Sequence, residues 1–219
     1  MKNTLSKSLQ DIFSQDVIVF VLKITFAALI ISAVFIWLFG GLLSSMMIST
    51  FSWIPWEWLQ ETVAFLVNFL LYYLLIIIVI SILTSLYIEP LLIKLAKKHY
   101  PNSPVVGSPN LHTSFLLSIK SAIIALLIFI FTFPLIFIPI LGQTIYPLWI
   151  WSIIIKEPTV YDVSALFIAD KSIIREKRKE ARSIAMIASL FNYVPVLNIF
   201  SAVFAQILFL HHILGKENA

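Results

Sequence analysis

Hydrophobic residues fill most of this chain, in long runs separated by short polar stretches. Two runs, 17–39 and 62–88, contain neither proline nor glycine. About 20 apolar residues are enough to cross a bilayer core of ~30 Å, so each run predicts a transmembrane helix. Lys23 lies near the start of the first run, where its side chain either reaches back to the lipid headgroups or faces a path for an anion. The segment 40–61 between the runs predicts an extracytoplasmic loop with an interfacial tryptophan belt.

Two later hydrophobic runs contain a sharp turn signal. Pro139 lies in Ile138-Pro139-Ile140-Leu141-Gly142, and Pro195 lies in Val194-Pro195-Val196-Leu197-Asn198. Proline fixes φ and removes a backbone donor, whereas glycine and asparagine tolerate a left-handed backbone. We therefore interpret Pro139 and Pro195 as the tips of helical hairpins.

The lengths of the hairpin arms predict how far they penetrate. In the segment 115–155, the arm after the tip runs from 143 to 155. It has about 13 residues and reaches ~20 Å, less than the ~30 Å core, which predicts a re-entrant hairpin. The run 184–214 fits either a second re-entrant hairpin or one kinked span. Backbone exposed at a tip must be covered by protein or face water.

Two further segments have an amphipathic pattern. The segment 4–14 places Leu5, Leu9, Ile12 and Phe13 on one helical face, with Lys7 and Asp11 off it. It predicts a helix in the membrane interface, or else a frayed polar terminus. The segment 159–183 predicts one basic cytoplasmic helix. Its basic face is either solvated or collects anions or anionic lipid. The basic residues are Lys171, Arg175, Lys177, Arg178, Lys179 and Arg182.

Composition and charge agree with a membrane protein. The chain is 60% hydrophobic and 12% charged, with a mean hydropathy of +1.00, whereas a soluble domain is ~45–50% apolar and ~25% charged. We predict one all-α membrane domain over 1–219, with two long transmembrane helices, two re-entrant hairpins and amphipathic interfacial or cytoplasmic helices. The net charge of +4 comes mainly from two basic blocks, which predicts that these blocks are cytoplasmic rather than nucleic-acid-binding.

The sequence contains no enzyme motif and indicates no cofactor. Cysteine is absent, which excludes thiolate metal sites. His99 and His112 flank a polar loop, and the adjacent His211 and His212 point to different helical faces. We therefore expect interfacial histidines and no metal site. The polar residues near the tips either cap broken helices or bind an anion through backbone amides; they are Gly142, Gln143, Thr144, Asn192 and Asn198.

Three stretches carry a resemblance to a known family. They are Ile88-Glu89-Pro90-Leu91-Leu92, Phe137–Gly142 with Pro147-Leu148-Trp149, and Val194–Asn198. With them the chain resembles the CysZ sulfate-permease family, part of the etoposide-induced superfamily of membrane proteins. The resemblance implies two long spans, two partly penetrating hairpins, a homo-oligomer and sulfate uptake across the bacterial inner membrane. One feature departs from the family. Sulfate-binding members look to carry Gly-Leu-Arg at the start of the first span, where this chain has Asp16-Val17-Ile18.

These observations predict a permease for an inorganic anion, with sulfate as the leading substrate. The alternative is a membrane scaffold that binds partners or anionic lipid through the basic helix. Moving a dianion inward against ~100 mV costs about 5 kcal/mol, so uptake needs coupling or rapid consumption. Glu89, His211 and His212 are the candidate proton carriers.

Overall fold

The computed structural model describes residues 2–132, 135, 138–194 and 196–217, and it confirms an all-helical membrane fold. No strand occurs in these residues. The helices are α1 (Lys2–Ile12), α2 (Gln15–Thr50), α3 (Glu57–Tyr87), α4 (Glu89–His99), α5 (Leu111–Thr132), α6 (Tyr146–Phe167), α7 (Lys171–Ser189) and α8 (Ser201–Glu217).

Three to four of the described helices are long and apolar enough to cross a membrane. Three single candidates are Gln15–Thr50, Leu111–Phe129 and Leu197–Gly215. The end of α3, from Leu75, forms a fourth candidate together with α4, with a bend of 61° between them. Pro90 lies in the first turn of α4, where a missing backbone N–H costs nothing. The bend therefore falls where the Glu89-Pro90 pair starts a new helix.

One of two compact units consists of residues 23–80. Its helices are longer than predicted, because α2 continues through Gly40 to Thr50 and α3 already begins at Glu57. The predicted loop 40–61 is therefore wrong for most of its length. At Gly40, α2 approaches α3 closely, since a Cβ there would lie 3.3 Å from the Tyr72 hydroxyl. At the turn, Gln60 Nε2 donates to the Ile48 carbonyl at 2.9 Å.

The other unit combines residues 1–22 with 81–219, and α8 forms its centre. Helices α1, α4, α6 and α7 all pack against α8. The α8 side chains from Val203 to Leu210 are buried. This burial explains why α8 is apolar over most of its surface, as a helix inside a larger core is.

Helix α6 corrects the predicted second arm of the first hairpin. The arm does not end at residue 155, since α6 runs from Tyr146 to Phe167 with Pro158 inside it. Its 22 residues correspond to ~33 Å, so the length no longer distinguishes a re-entrant arm from a crossing one. A proline inside a helix costs ~3 kcal/mol. Burial of Val160, Val163 and Leu166 in the core outweighs that cost.

The predicted basic helix 159–183 is also corrected, because it is two helices. Residues up to Phe167 belong to α6, and α7 begins at Lys171 after an extended Ile168. The Asp170 carboxylate accepts a hydrogen bond from the Ser172 amide at 2.7 Å and so caps α7. The Asp170-x-Ser172 sequence is a helix-start signal. The prediction of a single helix over 159–183 did not take it into account.

The second predicted hairpin corresponds to α7 and α8. These helices pack against each other on either side of two short 3₁₀ turns, Leu190–Tyr193 and Leu197–Phe200. Such packing is the geometry of a hairpin, whereas the two halves of one kinked span would diverge. Pro195, the predicted tip, lies outside the described residues.

Candidate functional site

The first tip is a strained turn. Ile140 has φ 65° and ψ −59°, and the Leu141 amide donates to the Pro139 carbonyl at 2.8 Å. This combination is a γ-turn with positive φ, a conformation that is rare for any residue and costly for a β-branched one. The Gly142 amide then donates to the Ile138 carbonyl at 2.8 Å. A single π-helical turn, Leu141–Ile145, leads into α6.

The second tip repeats the first. Val196 follows proline in the sequence and has φ 73° and ψ −42°. The Asn198 amide donates to the Val194 carbonyl at 3.2 Å, as the Gly142 amide does to Ile138. The sequence repeat of Pro139 and Pro195 therefore corresponds to a repeat of backbone conformation around the next residue.

The tip amides are less available than expected. One alternative for the tips was an anion held by free backbone amides. The amides of Gly142 and Asn198 are bonded within their own turns, and both residues are buried. These two amides are therefore occupied by the turns. Gln143 and Thr144 are exposed, and Asn192 is half-buried. The Thr144 hydroxyl donates to the Ile140 carbonyl.

A tyrosine joins the two tips. The Tyr193 hydroxyl, at the second tip, donates to the Thr144 carbonyl at the first. Its ring meets Trp151 of α6 edge to face, with centroids 5.4 Å apart. Sequence reasoning did not single out Tyr193, because nothing in its local pattern distinguishes it from other membrane tyrosines.

The remaining predicted site residues are dispersed. Lys23 is exposed and belongs to the unit 23–80. Glu89 is half-buried in the first turn of α4. His212 is bonded to Glu180 of α7.

Asp162 is a buried carboxylate at a junction of four helices. Its oxygens accept hydrogen bonds from Ser85 at 2.6 Å, from Ser114 at 2.7 Å and from Gln206 at 2.9 Å. The side chain is fully buried. Among the described residues, no salt bridge compensates its charge. A buried carboxylate without a countercharge is expensive, so this position favours uptake of a proton.

Asp11 is a second buried carboxylate, on the face of α1 that we had assigned to polar surroundings. It accepts from His99 Nε2 at 2.9 Å, from His211 Nε2 at 2.9 Å and from Lys98 Nζ at 3.1 Å. Burial by itself would raise the pKa of Asp11, but the hydrogen bonds from His211, His99 and Lys98 outweigh it and hold that pKa well below its usual range. His211 is fully buried rather than interfacial.

Asp16, in the stretch that stands in place of Gly-Leu-Arg, is paired with a cation. The Lys94 ammonium donates to its carboxylate at 2.7 Å, and both side chains are largely exposed. The pair joins the first turn of α2 to α4. It brings a positive charge close to the part of the chain that corresponds to the missing Gly-Leu-Arg motif.

Both buried carboxylates had a signal in the sequence. Asp162 is an isolated acid in the apolar stretch Val160–Phe167, and an isolated acid among apolar residues indicates a functional or paired side chain. Asp11 had a weaker signal, because its partners are separated from it by most of the chain. Only the fold brings α1, the end of α4 and α8 together.

Comparison with known proteins leaves one informative result. No curated protein and no solved structure matches the chain. A family model matches residues 4–202, which include most of α1, all of α2 to α7 and the start of α8. The chain therefore belongs to the EI24 family, described as sulfate transporter CysZ/etoposide-induced protein 2.4.

Proposed function

We propose that this protein is a membrane permease for an inorganic anion, with sulfate as the leading substrate. The observation that carries the proposal is the family match over residues 4–202, because the family description includes a sulfate transporter. The same description also covers etoposide-induced proteins, so the match alone does not select the substrate. A bacterial inner-membrane location and a homo-oligomer belong to the same proposal.

The exposed part of the first tip is the preferred place for the anion. Gln143 and Thr144 offer exposed polar groups there, and irregular backbone inside a membrane requires a wet or protein-covered surface. Asn192 lies on the adjoining second tip, which the Tyr193 hydrogen bond joins to the first. The amides of Gly142 and Asn198 are bonded within the turns, so we assign these two residues to the turns and not to anion binding.

Two exposed cations are further candidates for contact with the anion. Lys94 offers an exposed ammonium, although Asp16 now shares it. Lys23 remains a separate exposed cation in α2. Sulfate is held well by charge-assisted hydrogen bonds, so Lys94 and Lys23 are the first positions to neutralise when sulfate entry is measured.

Coupling to proton entry would supply the free energy needed to import a dianion against the membrane potential. We propose Asp162 as the proton-binding group, because it is fully buried and its described partners are neutral. Glu89 and His212 remain secondary candidates. His211 is bonded directly to Asp11, so we assign it to that buried cluster and not to the proton path.

Sulfate flux into sealed vesicles tests the proposal. Purified protein is reconstituted and uptake of radiolabelled sulfate is compared with protein-free vesicles. We expect faster uptake with protein, and slower uptake when Gln143→Ala and Thr144→Val are combined. Asn102→Ala, a change of an exposed polar residue outside the tips, serves as the matched control. Uptake no faster than in empty vesicles would refute the permease.

One observation favours a second function, a non-transporting scaffold. The basic residues Arg175, Arg178, Lys179 and Arg182 of α7 are exposed, and the chain lacks the Gly-Leu-Arg motif. Anionic lipid or an acidic partner would bind such a surface. Replacing these arginines and Lys179 by glutamine should abolish binding to anionic vesicles but leave sulfate flux unchanged. Unchanged vesicle binding would remove the reason for this alternative.

A further inference from the structure

Asp11, His99 and His211 place three metal-binding side chains at one point. They come from α1, the last residue of α4 and α8. The separation from Asp11 Oδ2 is 2.8 Å to His99 Nε2 and 2.9 Å to His211 Nε2. All the potential ligand atoms lie within 4.8 Å of one another.

The cluster is enclosed by protein. Asp11 and His211 have no exposed surface, and the His99 side chain is 17% exposed. The two imidazole rings lie edge to face, with centroids 5.0 Å apart. Among the described residues of the cluster, His99 has the exposed surface, so an ion and a water ligand can enter beside it.

The geometry is close to that of a bound ion. Zinc binds imidazole nitrogen at about 2.0–2.1 Å and carboxylate oxygen at about 2.0–2.2 Å, with tetrahedral angles. Ligands of a tetrahedral ion are then about 3.3–3.5 Å apart. The present contacts need to open by only about half an ångström, which small rotations of His99 and the Asp11 carboxylate provide.

An outer partner fixes one of the histidines. The Tyr100 hydroxyl lies 3.0 Å from His211 Nδ1. When an ion is bound, this hydroxyl can accept a hydrogen bond from Nδ1–H, which leaves the Nε2 lone pair for the ion. Metal-binding histidines are commonly oriented in this way by a second hydrogen bond. Lys98 competes for Asp11 Oδ1, but its side chain is more than half exposed and can turn to water.

We propose that Asp11, His99 and His211 bind a divalent transition-metal ion of the zinc class. Two imidazoles and one carboxylate suit zinc, iron(II) or manganese better than calcium or magnesium, which prefer oxygen ligands. The ion fastens α1 to α4 and α8, and water completes its coordination beside His99. The site is independent of the transport proposal, and His211 lies beyond the residues 4–202 matched by the family model.

Metal binding to the intact protein provides the first test. The chain is purified in detergent through a tag that contains no histidine, stripped with chelator and titrated with Zn²⁺. We expect about one zinc ion per chain to be retained after desalting, and a higher thermal unfolding temperature that chelator reverses. Excess Mg²⁺ should not displace the ion. Absence of both retained zinc and a thermal shift in the unchanged chain would overturn the proposal, and displacement by Mg²⁺ would overturn the metal class.

Variants assign the ligands. His99→Ala and His211→Ala should each abolish zinc retention, while His112→Ala, which removes an exposed histidine outside the cluster, should retain it. Tyr100→Phe keeps all three ligands and should weaken zinc affinity about 10–100-fold. Tyr100→Phe therefore tests the site even if His99→Ala or His211→Ala fails to fold. Wild-type affinity in Tyr100→Phe together with zinc loss in His112→Ala would place the ion elsewhere.

Discussion

Ile140 and Val196 adopt the same left-handed backbone conformation, each directly after a proline, at the two tips of the membrane hairpins. Their φ values are 65° and 73°. Both are β-branched, the residue type for which positive φ is least favourable. The repeat at equivalent positions indicates that the turn is maintained against its own cost, as strained backbone at functional sites is.

Glycine at the first tip should relieve this strain. Ile140 is 75% exposed, so Ile140→Gly removes little packing inside the protein. The strain of such a conformation is roughly 1–3 kcal/mol, and the added entropy of an unfolded glycine offsets up to about 1 kcal/mol. We expect the free energy of unfolding in detergent to rise by about 1 kcal/mol.

Ile145 offers the matched control for Ile140. It is the same residue type, is also exposed, and has ordinary helical angles of φ −73° and ψ −39°. Ile145→Gly should lower the free energy of unfolding by about 1 kcal/mol. Equal losses in both variants would show that the positive φ of Ile140 carries no strain.

The sequence predicted the fold class and the tips, but not the ends of the helices. Long apolar runs suffice for an all-helical membrane protein, and Pro139 marks a real turn. The second arm was predicted to end at residue 155, but α6 continues through Pro158, because the burial that offsets the local cost of proline is not visible in the sequence. The Asp11 cluster was equally hidden, since residues as distant as Asp11 and His211 meet only in the folded chain.

The N-terminal helix should be held by one face only. Ile12 is fully buried against α8, while Leu9 is exposed on the same helix. Ile12→Ala should cost about 2–5 kcal/mol of unfolding free energy, and Leu9→Ala should cost well under 1 kcal/mol. Limited proteolysis of α1 in detergent reports the difference. Equal protection of the two variants would mean that α1 is not anchored through Ile12.

The Asp170 carboxylate, which caps α7, should make the stability of this helix start depend on pH. Hydrogen bonds from the Ser172 amide and the Ser172 side chain lower the pKa of Asp170. Because the pKa of Asp170 is lower in the folded protein, its ionised carboxylate stabilises the cap at pH values above the ordinary pKa of aspartate. This stabilisation is lost as the pH falls through the pKa of the folded state. Protection of the Ser172 amide from hydrogen exchange, corrected for the intrinsic rate, should therefore decrease in acid. Asp170→Asn should keep the cap and lose the pH dependence; a decrease of the same size in both proteins would contradict this role.

Neutralising Asp16 should favour the anion. Asp16→Asn frees Lys94, and an exposed ion pair contributes at most about 1 kcal/mol to stability, so the fold should persist. A unit charge at about 4 Å in water is worth ~1 kcal/mol, which predicts a several-fold lower KM for sulfate uptake. Glu176→Gln removes an exposed acid on α7 and controls for net charge. The same change of KM in both variants would indicate a general charge effect rather than a local one.

Asp162 should determine whether uptake responds to protons. Asp162→Asn retains the size of the side chain and an oxygen for Ser85 and Gln206, which share one carboxylate oxygen. Its NH2 group can donate to the Ser114 hydroxyl, which bonds the other oxygen in Asp162, so the helix junction should persist, but the amide takes up no proton. We expect sulfate flux down its own gradient to continue, while the stimulation by an inward proton gradient disappears. Ser85→Ala removes one hydrogen bond and keeps the carboxylate, and it should preserve the stimulation. A proton-stimulated flux in Asp162→Asn equal to that of the unchanged chain would assign coupling to another group, with Glu89 and His212 the next to replace.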